Sequence, residues 1–272
     1  MFKVIRRLLI FLIILLVALA YYRNVYLENK KKENQAKVTA RPEKVITIIE
    51  GWNIKQIDNY LIGQGVKLDK RLADFNVRDY KSDYDFLADV PAGADLEGYL
   101  FPDTYRVFAS TTADEVVRKM LSNFASKVSP EMLTEISRQK KTLHQIITMA
   151  SVVEKEVASQ NDMKVVAGIF WDRIKNGQAL ESCATLAYVL GENKIRYTHK
   201  DTRVESPYNT YINRGLPPGP IANPGLNSIS SAIYPTYTDY NYFLSRPDTG
   251  ETVFSKTYEE HVINTEKYLN LK

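Results

Sequence analysis

Residues Leu143 to Val157 read Leu-His-Gln-Ile-Ile-Thr-Met-Ala-Ser-Val-Val-Glu-Lys-Glu-Val, and no other stretch constrains the fold as much. Leu143, Ile146, Ile147, Ala150, Val153 and Val157 recur at helical spacing, which predicts a helix with one face turned to a core. Glu154 falls on that same face. A carboxylate there costs free energy unless it is paired or kept neutral. Desolvation raises its pKa toward the range of a general acid working near neutrality. Lys155 points away from the stripe, and Glu156 lies near its edge, where a salt bridge or a cap-like hydrogen bond suits it. Periodicity is equally met by a structural carboxylate bonded to an Arg or a backbone amide, so both readings of Glu154 stand at this point.

Composition narrows the partners. A formal charge of +4, with Lys and Arg interspersed among Asp and Glu and no basic stripe carrying aromatics, argues against nucleic acid. The single cysteine, Cys183, excludes a disulfide within the chain. His144, His199 and His261 are far apart, and no His-x-x-x-His or Cys-x-x-Cys spacing occurs. No metal or cofactor is therefore expected, and Cys183 lacks a His partner that would make it a nucleophile. Tyrosine, at 18 copies against 10 Phe and 2 Trp, suits sugar faces and wet interfaces as well as cores.

Leu8 to Tyr22 is an unbroken apolar run preceded by Lys3, Arg6 and Arg7. Extended through Val25 and Tyr26 it approaches the roughly 20 residues that span a bilayer. Ala18-Leu19-Ala20 resembles a signal-peptidase site, yet Tyr21-Tyr22-Arg23 reads as an interfacial anchor and no flexible region follows the alanines. We therefore expect a retained single span over residues 8–26, with a tail of residues 1–7 and a linker of residues 27–42. Charge counting does not decide its orientation, because Arg23 and Lys30 to Lys32 follow the span.

Beyond the linker, Val45 to Ile49 predicts a strand, Glu50-Gly51 a turn, and Asn53 a cap for a helix through Leu61 and Ile62. Leu68 to Val90 is mixed and reads as partly helical. Leu96 to Tyr105, dense in aromatics with Gly and Pro, reads as a fixed loop or edge strand. Helices are expected after Thr112 and Asp114, from Pro130, over Asp162 to Asn176, from Cys183 to Leu190 with Gly191 as its stop, and from Leu226 to Ile233. Between the last two, Ser206 to Gly225 is a long Pro/Gly loop whose aromatics predict order. A hairpin pairing Asn241 to Ser245 with Glu251 to Ser255, then a terminal helix through Tyr268, completes an α+β reading.

Three segments in this order resemble one family. They are Leu96-Glu-Gly-Tyr-Leu-Phe-Pro-Asp-Thr-Tyr105, Ala150-Ser-Val-Val-Glu-Lys-Glu156, and Tyr208-Asn-Thr-Tyr211 followed by Gly215-Leu-Pro-Pro-Gly-Pro-Ile221. Together they resemble the YceG-like family of endolytic murein transglycosylases, over the whole stretch from about Val45 to the C-terminus. The resemblance implies a single-pass cell-membrane protein whose domain faces the peptidoglycan outside the cytoplasm. It implies a small LysM-like subdomain over residues 43–95, shortened at Leu68 to Val90, and a mainly helical catalytic domain over residues 96–272. It identifies Glu154 with the family's catalytic glutamate. Glycan strands are then the partner, together with a peptidoglycan synthase. Where many relatives carry a Gln-Ser/Thr-Asp type of sequence, this chain has Glu181-Ser182-Cys183.

Candidate substrate contacts are Tyr208, Asn209, Tyr211, Glu156, Tyr99 and Glu97, since amides and phenols bond N-acetyl groups and rings stack on sugars. Each is also met by a structural role in pinning a loop or helix. Two rival activities stay open: a non-catalytic peptidoglycan-binding scaffold for a synthase, and a hydrolase of the same bond, which requires a second carboxylate to hold water.

Overall fold

The computed structural model describes residues 15–32, 43–108, 110–194 and 196–269. Residues 15–32 form an exposed helix, α1. Among the described residues no helix is long and apolar enough to cross a membrane. The apolar run expected to span a bilayer starts at Leu8, and its residues 8–14 lie outside the described residues, as do the tail before them and residues 33–42 of the linker. α1 continues to residue 32, into the linker expected over residues 27–42.

The first strand, β1 (Glu43–Thr47), pairs antiparallel with β2 (Thr104–Phe108), with Val45 opposite Arg106. It begins and ends two residues earlier than the β-branched run suggests. Ile46 and Ile48 are buried while Val45 and Ile49 are exposed, so the period of two persists after the ladder ends. Gly51 then turns the chain at φ +77° into α2 (Ile54–Gly63), whose start is a capping box between Asn53 and Gln56.

Residues 68 to 90 hold no α-helix. They form three single 3₁₀ turns, Leu72–Asp74, Val77–Asp79 and Asp85–Leu87, each turning one buried Leu or Val inward. Aromatic packing does the work that helical hydrogen bonds would otherwise do. Phe86 and Tyr99 lie 4.8 and 5.4 Å from Phe124 between ring centroids. Phe124 belongs to α3 (Ala113–Lys127), which starts at a Thr112–Glu115 capping box; Asp114, the other expected cap, instead pairs with Arg118 and accepts from Tyr80.

After α3 come α4 (Pro130–Arg138), α5 (Leu143–Glu156), α6 (Gln160–Lys175), α7 (Cys183–Leu190) and α8 (Leu226–Ile233). The helix read as one-faced is enclosed on all sides: every α5 residue from Ile146 to Val153 is buried. Thr148, Ser151 and Met149, outside the apolar stripe, are buried because α8, α6, α7 and α4 all pack on α5. The two hydroxyls make this tolerable, donating to the helix's own carbonyls at His144 and Thr148. The hairpin of β3 (Tyr242–Ser245) and β4 (Thr252–Ser255) and the terminal α9 (Tyr258–Leu269) follow as predicted.

A single contiguous core runs from Ile46 to Ile233, so β1 and α2 share their interior with the helices. Gly98 lies where these parts meet. Its φ is +90°, and a Cβ there would fall 2.5 Å from Pro220 Cγ and 2.8 Å from Ile147 Cγ2. Gly98→Ala is therefore expected to lower unfolding free energy in urea by roughly 3 kcal/mol, since overpacking and backbone strain add.

Candidate active site

The site is built from carboxylates that cap helices other than their own. A helix N-terminus presents unpaired N–H groups and a partial positive charge, and a nearby carboxylate satisfies both. At the C-terminal end of α5, Glu154 Oε2 accepts from the N–H of Gly225 at 3.0 Å and from the hydroxyl of Ser228 at 2.6 Å. Gly225 is the N-cap of α8 and Ser228 lies in its first turn. Among the described residues Glu154 Oε1 accepts no hydrogen bond. Two positions on, Glu156 turns the other way, where it accepts from the Ser182 hydroxyl and the Ala184 N–H at the start of α7. The cap-like role expected for Glu156 is what it has here.

Burial pushes the pKa of Glu154 up, and the Ser228 and Gly225 hydrogen bonds oppose that shift. Two charges add smaller effects: Glu50 raises it further and Lys155 lowers it. The Glu156 carboxyl is likewise raised by burial, against the bonds from Ser182 and Ala184.

A third carboxylate, Glu97, is 5% exposed and accepts from the N–H of Ile54, the first residue of α2, and from Asn223 Nδ2 at 2.8 Å. Burial drives its pKa up to about 8. Asn223 joins all the parts. Its Oδ1 accepts from Gly98 and Leu100, its Nδ2 also reaches the Trp52 carbonyl, and its backbone exchanges bonds with Gly51 and Trp52. Lys155 Nζ donates to the Gly51 carbonyl at 3.2 Å, so the β1–α2 turn lies directly on the end of α5.

The other sequence-predicted residues fall into separate places. Tyr99 is buried, its hydroxyl 2.9 Å from His144 Nδ1. Asn209 is buried and spends its amide on the Thr202 and Val204 carbonyls and the Tyr211 N–H, which pins the Pro/Gly loop. Tyr208 is half-buried, 5.0 Å from the Tyr188 ring. Tyr211 stands on the Glu156 side, with its hydroxyl 3.2 Å from Cys183 Sγ. Glu154 is thus not brought together with Asn209 or Tyr211.

A groove of about 460 Å³ runs between α2 and α7, lined among others by Asn53, Gln56, Asn59, Glu97, Lys155 and Tyr188. Glu154 is not among the residues that line this groove; its Cγ would lie 3.4 Å from a Cβ on Gly51, which with Lys155 forms one end of it. A larger cavity of about 980 Å³, by Arg173, Arg214 and Tyr242, is lined by none of α2 and does not include Glu154. Among the described residues no three His, Cys, Asp or Glu side chains come together to hold a metal ion. Sequence reasoning missed Glu50, Asn223, Gly225 and Ser228. The Glu50-Gly51 turn and the Pro/Gly loop were both visible, but nothing local says that they meet.

Residues 25–267 match the model of the YceG-like family. The chain belongs to the YceG-like family. It is 40% identical over 178 residues to an endolytic murein transglycosylase of Bacillus subtilis (strain 168), covering 65% of this chain and 49% of that protein. A protein of the same description from Streptococcus pneumoniae (serotype 2, strain D39) is 37% identical over 182 residues, covering 65% of this chain and 33% of its own length. The chain thus matches half or less of the length of these curated relatives. The crystal structure of a yceG-like protein from Listeria monocytogenes aligns with a TM-score of 0.71 at 33% identity, over 87% of this chain and 80% of that one. The chain shares its α+β fold with that yceG-like protein.

Glu97 makes stability depend on pH. Its proton is held more tightly in the folded chain, so its contribution is fully present below about pH 4.5 and is lost as pH rises through about 8. Across that window the melting temperature of the wild type is expected to fall, and Glu97→Gln to remove much of the slope. Parallel slopes in calorimetry would contradict the assignment.

Proposed function

We propose that this chain is a membrane-anchored endolytic transglycosylase that cuts nascent peptidoglycan strands between N-acetylmuramic acid and N-acetylglucosamine. Glu154 carries the chemistry. The observation behind this reading is its placement: one carboxyl oxygen is held by the start of α8, the other accepts no hydrogen bond among the described residues, the neighbouring Gly51 and Lys155 line a polar groove, and burial favours the protonated form. The relatives' description as endolytic murein transglycosylases supports the same class of reaction.

Ordinary glycosidases use two carboxylates, one as acid and one as nucleophile or base. In the reaction proposed here Glu154 serves twice. Its Oε1 proton passes to the glycosidic oxygen as the bond from C1 of N-acetylmuramic acid breaks. The carboxylate then takes the proton of the same sugar's 6-hydroxyl while that oxygen bonds to C1. The product is a 1,6-anhydromuramoyl end, with no water consumed. Because the nucleophile is tethered in the substrate, proximity replaces a second protein carboxylate. The fixed donors Gly225 and Ser228 keep the carboxylate oriented in both roles.

The groove between α2 and α7 is the proposed path of the glycan, with Tyr188 offering a ring and Asn53, Gln56 and Asn59 offering amides. Tyr208 supports the Tyr188 ring; the roles proposed for Glu97, Tyr99, Asn209, Tyr211 and Glu156 are to hold the loop and helix ends that shape the site. The unit over residues 43–95 is the proposed LysM-like part, residues 96–272 the catalytic part, and residues 8–26 the span that keeps both outside the cytoplasm. Delivery to new strands by a peptidoglycan synthase fits that placement.

The test is to incubate the full chain, in detergent, with peptidoglycan and identify fragment ends by mass spectrometry. Anhydro ends are expected; reducing ends would indicate hydrolysis, and no cleavage a binding scaffold. Glu154→Gln keeps the cap geometry while removing the proton, so cleavage should drop at least ~100-fold with little change in melting temperature. Activity should also fall as pH rises through the raised pKa of Glu154, because the acid form is lost there. A profile without an alkaline limb would exclude the acid role.

A further inference from the structure

Gly225 sits between two carboxylates. Its N–H donates to Glu154 Oε2 at 3.0 Å. Its α-carbon faces Glu50 so closely that a Cβ built on Gly225 would lie 1.9 Å from Glu50 Oε1 and 2.2 Å from the carboxyl carbon. Backbone conformation does not require glycine here, because φ −78° and ψ 171° are open to any residue. A Cβ here would instead displace the Glu50 carboxyl, the far end of an exposed side chain.

Glu50 is exposed, and among the described residues it accepts no hydrogen bond and forms no ion pair. The backbone of the turn that carries it is held in place. Gly51 N–H donates to the Asn223 carbonyl at 2.9 Å, Asn223 N–H donates to the Trp52 carbonyl at 2.9 Å, and Lys155 reaches the Gly51 carbonyl. The Glu50 carboxyl lies against Gly225, whose N–H is bonded to the Glu154 carboxyl.

We propose that Glu50 is a positioning residue for the general acid: the β1–α2 turn holds its negative charge beside Glu154, so that Glu154 is protonated when substrate arrives. The inference rests on the reading of Glu154 as the acid. A negative charge nearby makes it harder for Glu154 to lose its proton, and burial acts in the same direction. Of the charges facing Glu154, Glu50 favours the proton and Lys155, on α5 itself, opposes it. α8 supplies only the Gly225 N–H and the Ser228 hydroxyl and carries no ionisable side chain. The N-terminal unit then does more than bind glycan, because it completes the electrostatics of the site.

The experiment is a ¹³C NMR titration of glutamate carboxyls in the full chain in micelles, with the Glu154 signal assigned by its loss in Glu154→Gln. Glu50→Gln should lower the Glu154 midpoint by roughly half a pH unit or more. Gly225→Ala, which keeps the N–H donor but displaces Glu50, should move it the same way. In the cleavage assay the alkaline limb of kcat/KM should shift down with the midpoint in Glu50→Gln, while activity of that variant at lower pH is retained. An unchanged midpoint in Glu50→Gln overturns the proposal, as does a loss of activity equal at every pH. If the wild type cuts nothing, the proposed function fails on its own, and the titration still decides whether Glu50 controls Glu154.

Discussion

Helix ends and carboxylates are matched across this fold, and the site depends on that matching. Glu154 meets α8, Glu156 meets α7 and Glu97 meets α2, each through N–H groups that the receiving helix leaves unpaired. Capping by a carboxylate is worth up to about 2 kcal/mol in partly buried geometry, less than the cost of fully dehydrating a charge. The balance leaves each of these carboxyls with a raised pKa. A buried carboxyl that is oriented by donors yet still prefers its proton is a suitable acid, and this fold makes three such groups. Glu154 stands by the β1–α2 turn, with one of its oxygens accepting no hydrogen bond among the described residues, whereas Glu97 and Glu156 bind the starts of α2 and α7.

The alternation along α5 explains how two adjacent acidic positions take separate tasks. Residues two apart on a helix point to nearly opposite sides. Glu154 therefore reaches α8 and the β1–α2 turn, while Glu156 reaches the start of α7. Lys155, between them, is exposed and ties the end of α5 to Gly51. Asn223 makes the complementary connection from the Pro/Gly loop, so that the loop, the turn and the Leu96 to Tyr105 segment share one buried side chain.

Much of the local structure was legible in the residues. The caps at Asn53 and Thr112, the stop at Gly191 and the hairpin strands follow from short-range chemistry that needs no neighbour. Residues 68 to 90 misled because their apolar residues are spaced irregularly and are stabilised by rings from elsewhere, Phe124 among them. The enclosure of α5 was also invisible. Thr148 and Ser151 look like a polar face, and only the arrival of α6 and α8 makes that face an interior one.

By itself the sequence determined that Glu154 stands on a helix facing apolar surroundings, since helical period and side-chain polarity are properties of the chain alone. It also determined the family, through three motifs whose order survives without any structure. Tertiary structure alone decided which groups meet that carboxylate. Gly225 and Ser228 lie 71 and 74 positions away along the chain, and Glu50 approaches from the opposite end. Contacts of that separation leave no period and no spacing in a sequence, because they are set by the packing of whole elements. The residue type that makes the acid is therefore local information, and the proton it holds is a property of the fold.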